Sequence, residues 1–392
     1  MRKQVDGQMS LFDSSTPGAD KTEHVFTKAQ LVEMWKRPVE RQYNIAIAKM
    51  LEAIQATEGD ITICFSGGKD SSLLLDMYCE LISFTPWVDK PVKVAFADTT
   101  NETSEMLRFV KQFIPYVSNK YGVQIDLETV RPPKGVTWAG FVKENGIPLI
   151  SKEQSKAIRA VKDDMRRTGC DYDTAMKLAR QDMAAVNELF DIGFSKTGVL
   201  SLTGYVSSRD SFGKKAVISK KWRPMIGCDI DLTHQCCVKI KEASLNRVGD
   251  GSRMTGEQAQ ESSFRESAYL KTGCNIRLAD GGYVSKPFGA MTKDGILYAL
   301  DFRGTPICSD YGSIVKGEDG HYRCTKAQRT GCALCGFGCQ YDTERFVRLQ
   351  ETEPAKIRFA FKPKSEGGAG YKEAIEYMNE YCGTKVLIPE VR

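Results

Sequence analysis

Histidine is scarce in this chain of 392 residues: there are three, against 13 cysteines. Any metal chemistry therefore falls to thiolate rather than imidazole. Strong charge of one sign is also missing. Fifty-five Lys and Arg stand against 50 Asp and Glu, a net charge of +5 that is too small for a generic polyanion binder of this length, although it leaves room for a local basic surface. No run approaches the roughly 20 apolar residues of a membrane span, and the opening MRKQVDGQMSLFDSSTPGADKTE has no apolar core of signal-peptide length. The expected location is the cytoplasm, with no membrane partner. In that reducing compartment the cysteines do not imply a disulfide framework, so their clustering points to metal or redox chemistry. What is present is ordinary for a globular protein, 41% hydrophobic and 27% charged, enough for one large core or two modest ones.

Residues 1–24 are polar, broken by Pro17-Gly18, and read as a mobile tail. Apolar residues then recur at helical spacing from Lys28 to Thr57, with an interruption near Pro38. Ile61–Phe65 is a short apolar, β-branched run, and Ser72–Leu81 follows with helical periodicity. Val92–Ala97 reads as a second strand, Glu102–Tyr121 as a helix and Gln124–Val130 as a third strand. Alternating strands and helices predict an α/β fold, a parallel sheet with helices on both faces. A charged, mostly helical stretch runs from Lys152 to Leu189, its charges expected on a solvated face. Beyond it the chain becomes irregular and cysteine-rich.

Between the first strand and its helix stands Ser66-Gly67-Gly68-Lys69-Asp70-Ser71. Backbone amides can grip a phosphate only where the chain approaches it closely. The glycine pair permits that approach just before a helix whose N-terminal N–H groups and dipole favour negative charge. Ser66 and Ser71 add hydroxyl donors and Lys69 a compact positive charge. Asp70 repels phosphate directly, which leaves it to orient loop amides or to hold Mg²⁺ against the phosphates.

This loop resembles the pyrophosphatase loop of the adenine nucleotide alpha-hydrolase-like superfamily, and later segments resemble the phosphoadenosine phosphosulfate (PAPS) reductase family within it. Ala97-Asp98-Thr99-Thr100-Asn101-Glu102 is similar to that family's DT-x-x-E strand end, and Gly146–Lys152 to its G-x-P-x-x-S-K element. Gly256, Glu261-Ser262 and Arg265 match a G-x-x-x-x-E-S-x-x-R stretch. Lys286-Pro287-Phe288, Thr292, Asp294 and Tyr298 resemble its K-P block, with Met291 where the family has tryptophan. The resemblance implies that Ser66 to Ser71 hold the phosphates of an adenine nucleotide, that Asp98 lies near the sugar or metal, and that Arg265 faces the anionic end of the substrate. Lys69, Asp70 and Arg265 are the implied catalytic residues.

The cysteines give two candidate sets. Cys236-Cys237 opens a C-C-x-x-x-K stretch, and Cys332-Ala333-Leu334-Cys335 is a C-x-x-C within glycine-rich chain. Four thiolates suit a [4Fe–4S] cluster, and zinc accepts them too. The paired CC followed far downstream by C-x-x-C resembles the cluster pattern of the adenylylsulfate reductase branch, which implies Cys236, Cys237, Cys332 and Cys335 as ligands. A rival set, Cys324, Cys332, Cys335 and Cys339, resembles sites in DNA-phosphorothioation sulfur-transfer relatives. Cys64, Cys79, Cys170 and Cys274 are scattered and read as packed thiols. The chain accordingly divides into a tail (1–24), a nucleotide-binding α/β domain with a helical insertion (25–235), a substrate and iron–sulfur region (236–345) and a helical C-terminal segment (346–392).

The implied reaction depends on departures from the family. Its reductases carry a thiol in a Glu-Cys-Gly-Leu-His tail, whereas this chain has Tyr381-Cys382-Gly383-Thr384 and continues, so Cys382 is expected to pack a terminal helix. Their loop is generally degenerate; here Lys69 and Asp70 complete the ATP-cleaving form. Gln258 stands where the reductases place an arginine. The expectation is ATP and Mg²⁺ chemistry, adenylylating a substrate with release of pyrophosphate, coupled to cluster-assisted sulfur transfer from a sulfur donor onto a nucleic acid or a small molecule. The alternatives are a PAPS or adenylylsulfate reductase using a thiol reductant, and a nucleotide-binding regulator without turnover. Gln8-Met9-Ser10-Leu11-Phe12 resembles the Q-x-x-L-F peptide that docks on the bacterial sliding clamp. Lys214-Lys215 and Lys220-Lys221-Trp222-Arg223 offer a basic, aromatic strip for nucleic acid.

Overall fold

The computed structural model describes residues 25–205, 217–245, 248 and 251–390, and these form two compact units. The first takes the described residues up to Pro132 together with Lys241–Gly331; the second takes Pro133–Ile240 and the described residues from Cys332 onward. The boundaries expected at 235/236 and 345/346 do not coincide with this division, because each unit is assembled from two separate stretches of chain. The stretch 1–24, with the clamp-like peptide Gln8–Phe12, and Lys214-Lys215 lie outside the described residues.

The first unit opens with two helices, α1 (Lys28–Trp35) and α2 (Val39–Ala56), divided at Pro38 as the spacing predicts. Strand β1 (Thr62–Phe65) leads through the glycine loop into α3 (Lys69–Ser83). Strand β2 (Val92–Ala97), helix α4 (Ser104–Tyr121) and strand β3 (Ile125–Val130) follow. The six-stranded sheet runs β3, β2, β1, Arg253–Met254, Tyr283–Ser285, Asn275–Arg277. Neighbours are parallel from β3 across to Tyr283–Ser285. The expected α/β architecture is therefore present, with one difference: edge strand Asn275–Arg277 is antiparallel, because the short turn Leu278–Gly282 returns the chain at once.

Alternation along the strands decides the two faces. Ile63, Phe65, Val94 and Phe96 turn to one side and join Leu73, Leu74, Met77, Val110, Phe113 and Leu297 in one buried core. Ala95, Ala97 and Val130 turn to the other, where they meet Leu245 of the short helix Ala243–Leu245. Helix α3 is apolar nearly all round, which suits an element packed against α2, α4 and the helix Lys293–Arg303. Its buried carboxylate, Asp76, is 0% exposed and accepts from Lys120 Nζ (3.0 Å), Tyr121 Oη (3.1 Å), Arg303 Nε (2.6 Å) and Thr305 Oγ1 (2.9 Å). A buried carboxylate is tolerated only when so fully paired, and the pairing fixes the rotation of α3 and hence the aim of its N-terminus. That N-terminus lies where the strand order changes direction at β1, the place where open α/β sheets bind ligands.

The second unit is mainly helical around a core of its own. The long stretch expected from Lys152 breaks into Lys152–Thr168, Tyr172–Lys177 and Met183–Asp191, with Gly169 left-handed after the first and Asp171 and Asp182 capping the others. Its charges are not all solvated. Lys162 and Asp164 are buried; Lys162 reaches Asp231 (3.2 Å), and Asp164 accepts from the Ser195 hydroxyl (2.7 Å). Burial lowers the Lys162 ammonium despite Asp231. Trp222 is 8% exposed and belongs to this core, so it presents no face for stacking a base. No described helix is long and apolar enough to cross a membrane.

Candidate functional site

Gly67 has φ +72°, and a Cβ there would collide with the Met106 sulfur, so only glycine carries the chain round this bend. The loop is tied internally. The Ser66 N–H donates to Ser71 Oγ (3.1 Å), the Gly68 N–H to Ser66 Oγ (3.4 Å), and Ser71 Oγ to the Gly68 carbonyl (2.9 Å). At the first residue of α3 the Lys69 N–H donates to Tyr311 Oη (3.2 Å), which also bonds Thr330 Oγ1 (2.5 Å). Lys69 is 7% exposed, with its ammonium on both Asp70 oxygens (3.1 and 3.0 Å) and 5.7 Å from the Tyr311 ring centre. Burial works against that charge, but Asp70 and Tyr311 outweigh it and the Lys69 pKa is raised.

The loop walls a cavity of about 420 Å³, within the range of small-molecule sites. Five cations (Lys69, Lys241, Arg265, Lys293, Arg329) and four carboxylates (Asp70, Glu102, Glu257, Glu261) line it. Most of this charge is already paired. Arg265 bonds Glu261, Arg329 reaches Glu261 at 3.5 Å, and Lys286 holds Glu257 at 2.9 Å. Burial pushes Glu257 up, but Lys286, Arg265 and Arg253 together hold it below the usual range, so it stays ionised. Glu102 differs: burial raises it, although Lys241 and the Thr99 hydroxyl (2.7 Å) oppose the shift.

Of the residues named from sequence, Ser66, Gly68, Lys69, Asp70, Ser71 and Arg265 line the cavity, and Gly67 shapes its loop. Asp98 does not line it. It is held at the end of β2 by Arg131 (2.9 Å) and the Thr100 N–H (3.0 Å), and Glu102 lines the cavity instead. Arg265 lies there but is occupied by Glu261, so it is not a free anion receptor. Tyr311 and Thr330 were not legible in the sequence. They come to the loop across 242 residues in the case of Lys69 and Tyr311, with no local motif to mark them.

In the second unit, Cys236, Cys237, Cys332 and Cys335 come within electrostatic reach of one another. The Cys236 thiol is held protonated first by its bond with Cys237, then by burial and the charges of Cys335 and Cys332. Burial raises Cys335 as well. Gly336 permits the close wrap beside them, since a Cβ there would meet the Pro148 carbonyl at 2.6 Å. Among the described residues no group of three or more His, Cys, Asp or Glu side chains is set to hold a metal ion. Of the rival set, Cys339 shares this unit but Cys324 is buried in the core of the first. Cys382 ends the helix Tyr371–Cys382, buried, its thiol pushed up to about 11 by burial.

Residues 60–168, which carry the loop and β1 to β3, match the model of the phosphoadenosine phosphosulfate reductase domain. Over that segment the chain is similar to the PAPS reductase family. PAPS reductase family members are enzymes that bind nucleotides, and the cavity stands at the segment that carries the match. Among solved structures, a phosphoadenylyl-sulfate (PAPS) reductase from Candida auris in its phosphate complex is similar at 12% identity, covering 72% of this chain and 90% of that one, with a TM-score of 0.32. No curated protein matches the chain.

Proposed function

We propose that the first unit binds ATP at Ser66–Ser71 and transfers adenylate to an acceptor with release of pyrophosphate. The observation that carries this reading is the complete loop at the head of α3, with a buried, charged Lys69. An acceptor oxygen attacks the α-phosphorus, the bond to the bridging oxygen breaks, and the electron pair leaves on pyrophosphate. Lys69, exchanging Asp70 for phosphate, stabilises that departing charge. Asp70, facing the cavity, is the loop's carboxylate for Mg²⁺, which neutralises the triphosphate when bound. The nearly balanced cavity, five cations to four carboxylates, suits a metal-neutralised nucleotide better than a bare phosphosulfate with a second phosphate. Gln258, an uncharged amide, supports the same choice.

The cysteines Cys236, Cys237, Cys332 and Cys335 are the candidate ligands of a [4Fe–4S] cluster that supplies sulfur chemistry when bound. These thiols influence one another electrostatically, and metal binding would have to draw them into coordinating positions as they lose their protons. The acceptor of sulfur is a nucleic acid or a small molecule. The family match keeps a thiol-dependent PAPS or adenylylsulfate reductase as the second reading; the buried Cys382 speaks against a C-terminal nucleophile.

Anaerobically purified protein separates the two readings. Pyrophosphate from ATP is the expected product; sulfite from PAPS and a thiol, without pyrophosphate from ATP, overturns the proposal. Iron and sulfide analysis tests the ligands. Cys236→Ser is expected to lose the cluster and Cys339→Ser to keep it, and the reverse result moves the site to the rival cysteines.

A further inference from the structure

The basic strip Lys220-Lys221-Trp222-Arg223 opens the short 3₁₀ helix Lys220–Ile226 of the second unit. Arg223 is half-buried there, and its Nε is enclosed without a hydrogen-bond partner. Burial pushes its pKa down, opposed only by Tyr172, and no carboxylate among the described residues compensates the charge. Asp173 beside Tyr172 and Glu380 beside Tyr381 are the local acids, and neither pairs with Arg223, Lys220 or Lys221. A guanidinium stays charged, so partial burial without a counter-ion costs stability unless an anionic ligand supplies one. Three tyrosines stand round this charge. Tyr172 faces Arg223 from the helix Tyr172–Lys177. Tyr377 and Tyr381 lie one turn apart on the helix Tyr371–Cys382, which packs against Lys220–Ile226. Their ring centres are 4.4 Å apart, and Tyr381 is 53% exposed. Gly227 lets the group close up, since a Cβ there would meet Tyr377 Oη at 2.9 Å and the Tyr172 ring at 3.6 Å. The aromatic partner of the strip is thus not the buried Trp222 but these tyrosines. A planar guanidinium grips phosphate bidentately, and an exposed tyrosine face stacks a base; side by side they suit a single strand, whose bases are free to stack.

We infer that Arg223, flanked by Lys220 and Lys221, holds a backbone phosphate of a single-stranded nucleic acid while Tyr381 stacks an adjacent base. The inference deepens the reading above, on which its place in the reaction rests, by making the acceptor a nucleic acid rather than a small molecule. A duplex keeps its bases stacked inside and offers the tyrosine none.

The probe is a fluorescein-labelled oligothymidylate of about 15 nucleotides, titrated with the full chain and followed by fluorescence anisotropy at several salt concentrations. R223Q is expected to weaken binding about 10- to 100-fold. It should also reduce the slope of log affinity against log salt by about 0.7, the share of one phosphate contact on a single strand. In chemical denaturation without ligand R223Q should be no less stable than the wild type, because it removes an uncompensated charge; a clear loss of stability marks Arg223 as structural and overturns the inference. Y381A is expected to weaken binding about 5- to 100-fold with the salt slope unchanged, and Y381F to bind as the wild type does. A duplex of the same length bound as tightly as the single strand overturns the assignment. Unchanged affinity in R223Q also overturns it, and pyrophosphate release from ATP by the same protein would leave the ATP reading standing. Arg223-dependent binding of the oligonucleotide without pyrophosphate from ATP keeps the surface and overturns the ATP reading.

Discussion

The phosphate loop and the cysteine group are both small constellations of reactive side chains, yet they are built in opposite ways. The loop is six consecutive residues, and its conformation is dictated on the spot: Gly67 must take a positive φ, and α3 must begin at Lys69. The cysteines come from two stretches about a hundred positions apart, and each stretch contributes a pair whose use depends on the fold that joins them. A contiguous site is conformationally prepared before any ligand arrives. The distant thiols are held protonated by one another and by burial, so a metal would have to displace those protons before they could serve as ligands.

Lys69→Met should break the loop while sparing the cysteines. Pyrophosphate release from ATP is expected to fall about 100- to 1000-fold, with iron content unchanged; loss of iron as well would show that the two constellations are not independently built. Gly67→Ala tests conformational preparation itself. Its positive φ and the collision with Met106 should cost about 1–3 kcal/mol of stability in chemical denaturation, and a variant as stable as the wild type would refute the strain.

A smaller effect is expected at Glu102. Burial raises this carboxyl above its ordinary value of 4.5, so the folded protein binds the proton more tightly than the unfolded chain. The stability linked to protonation is complete below about pH 4.5 and is lost as pH rises through the higher folded value. Glu102→Gln removes this titration. Its stability relative to the wild type should therefore improve as pH rises from that point and show no such gain at lower pH, measured by denaturation across the range. A flat difference would place Glu102 in contact with water. The least effect is expected from Cys382→Ser, which should leave turnover unaltered because the thiol is buried at a helix end. Loss of turnover in an otherwise folded Cys382→Ser protein would restore the reductase.

Much of the first unit was legible in the sequence. Strand β2 falls on Val92–Ala97 as its β-branched run predicts, and Pro38 divides α1 from α2. These are local decisions, made by propensity and by the alternation of apolar residues. The antiparallel edge Asn275–Arg277 was not legible, because its three residues carry too little pattern. The helical insertion is mostly helical, as its composition predicts, but it is divided into three helices and its charges are not all on a solvated face. Its breaks lie at a glycine and two aspartate caps, and the charges of Lys162 and Asp164 are buried by partners supplied elsewhere in the second unit.

The sequence by itself determined the frame proposed to grip phosphate, because a strand, a glycine pair and a helix N-terminus follow one another within a few residues. It also placed the thiols that a cluster would need. The tertiary structure decided what surrounds the grip. It brought Tyr311 onto the Lys69 amide, placed Glu102 rather than Asp98 on the cavity wall, and turned Arg265 towards Glu261. Side-chain pairing in a buried cavity depends on contacts between residues far apart in the chain, and only the folded core brings those residues together.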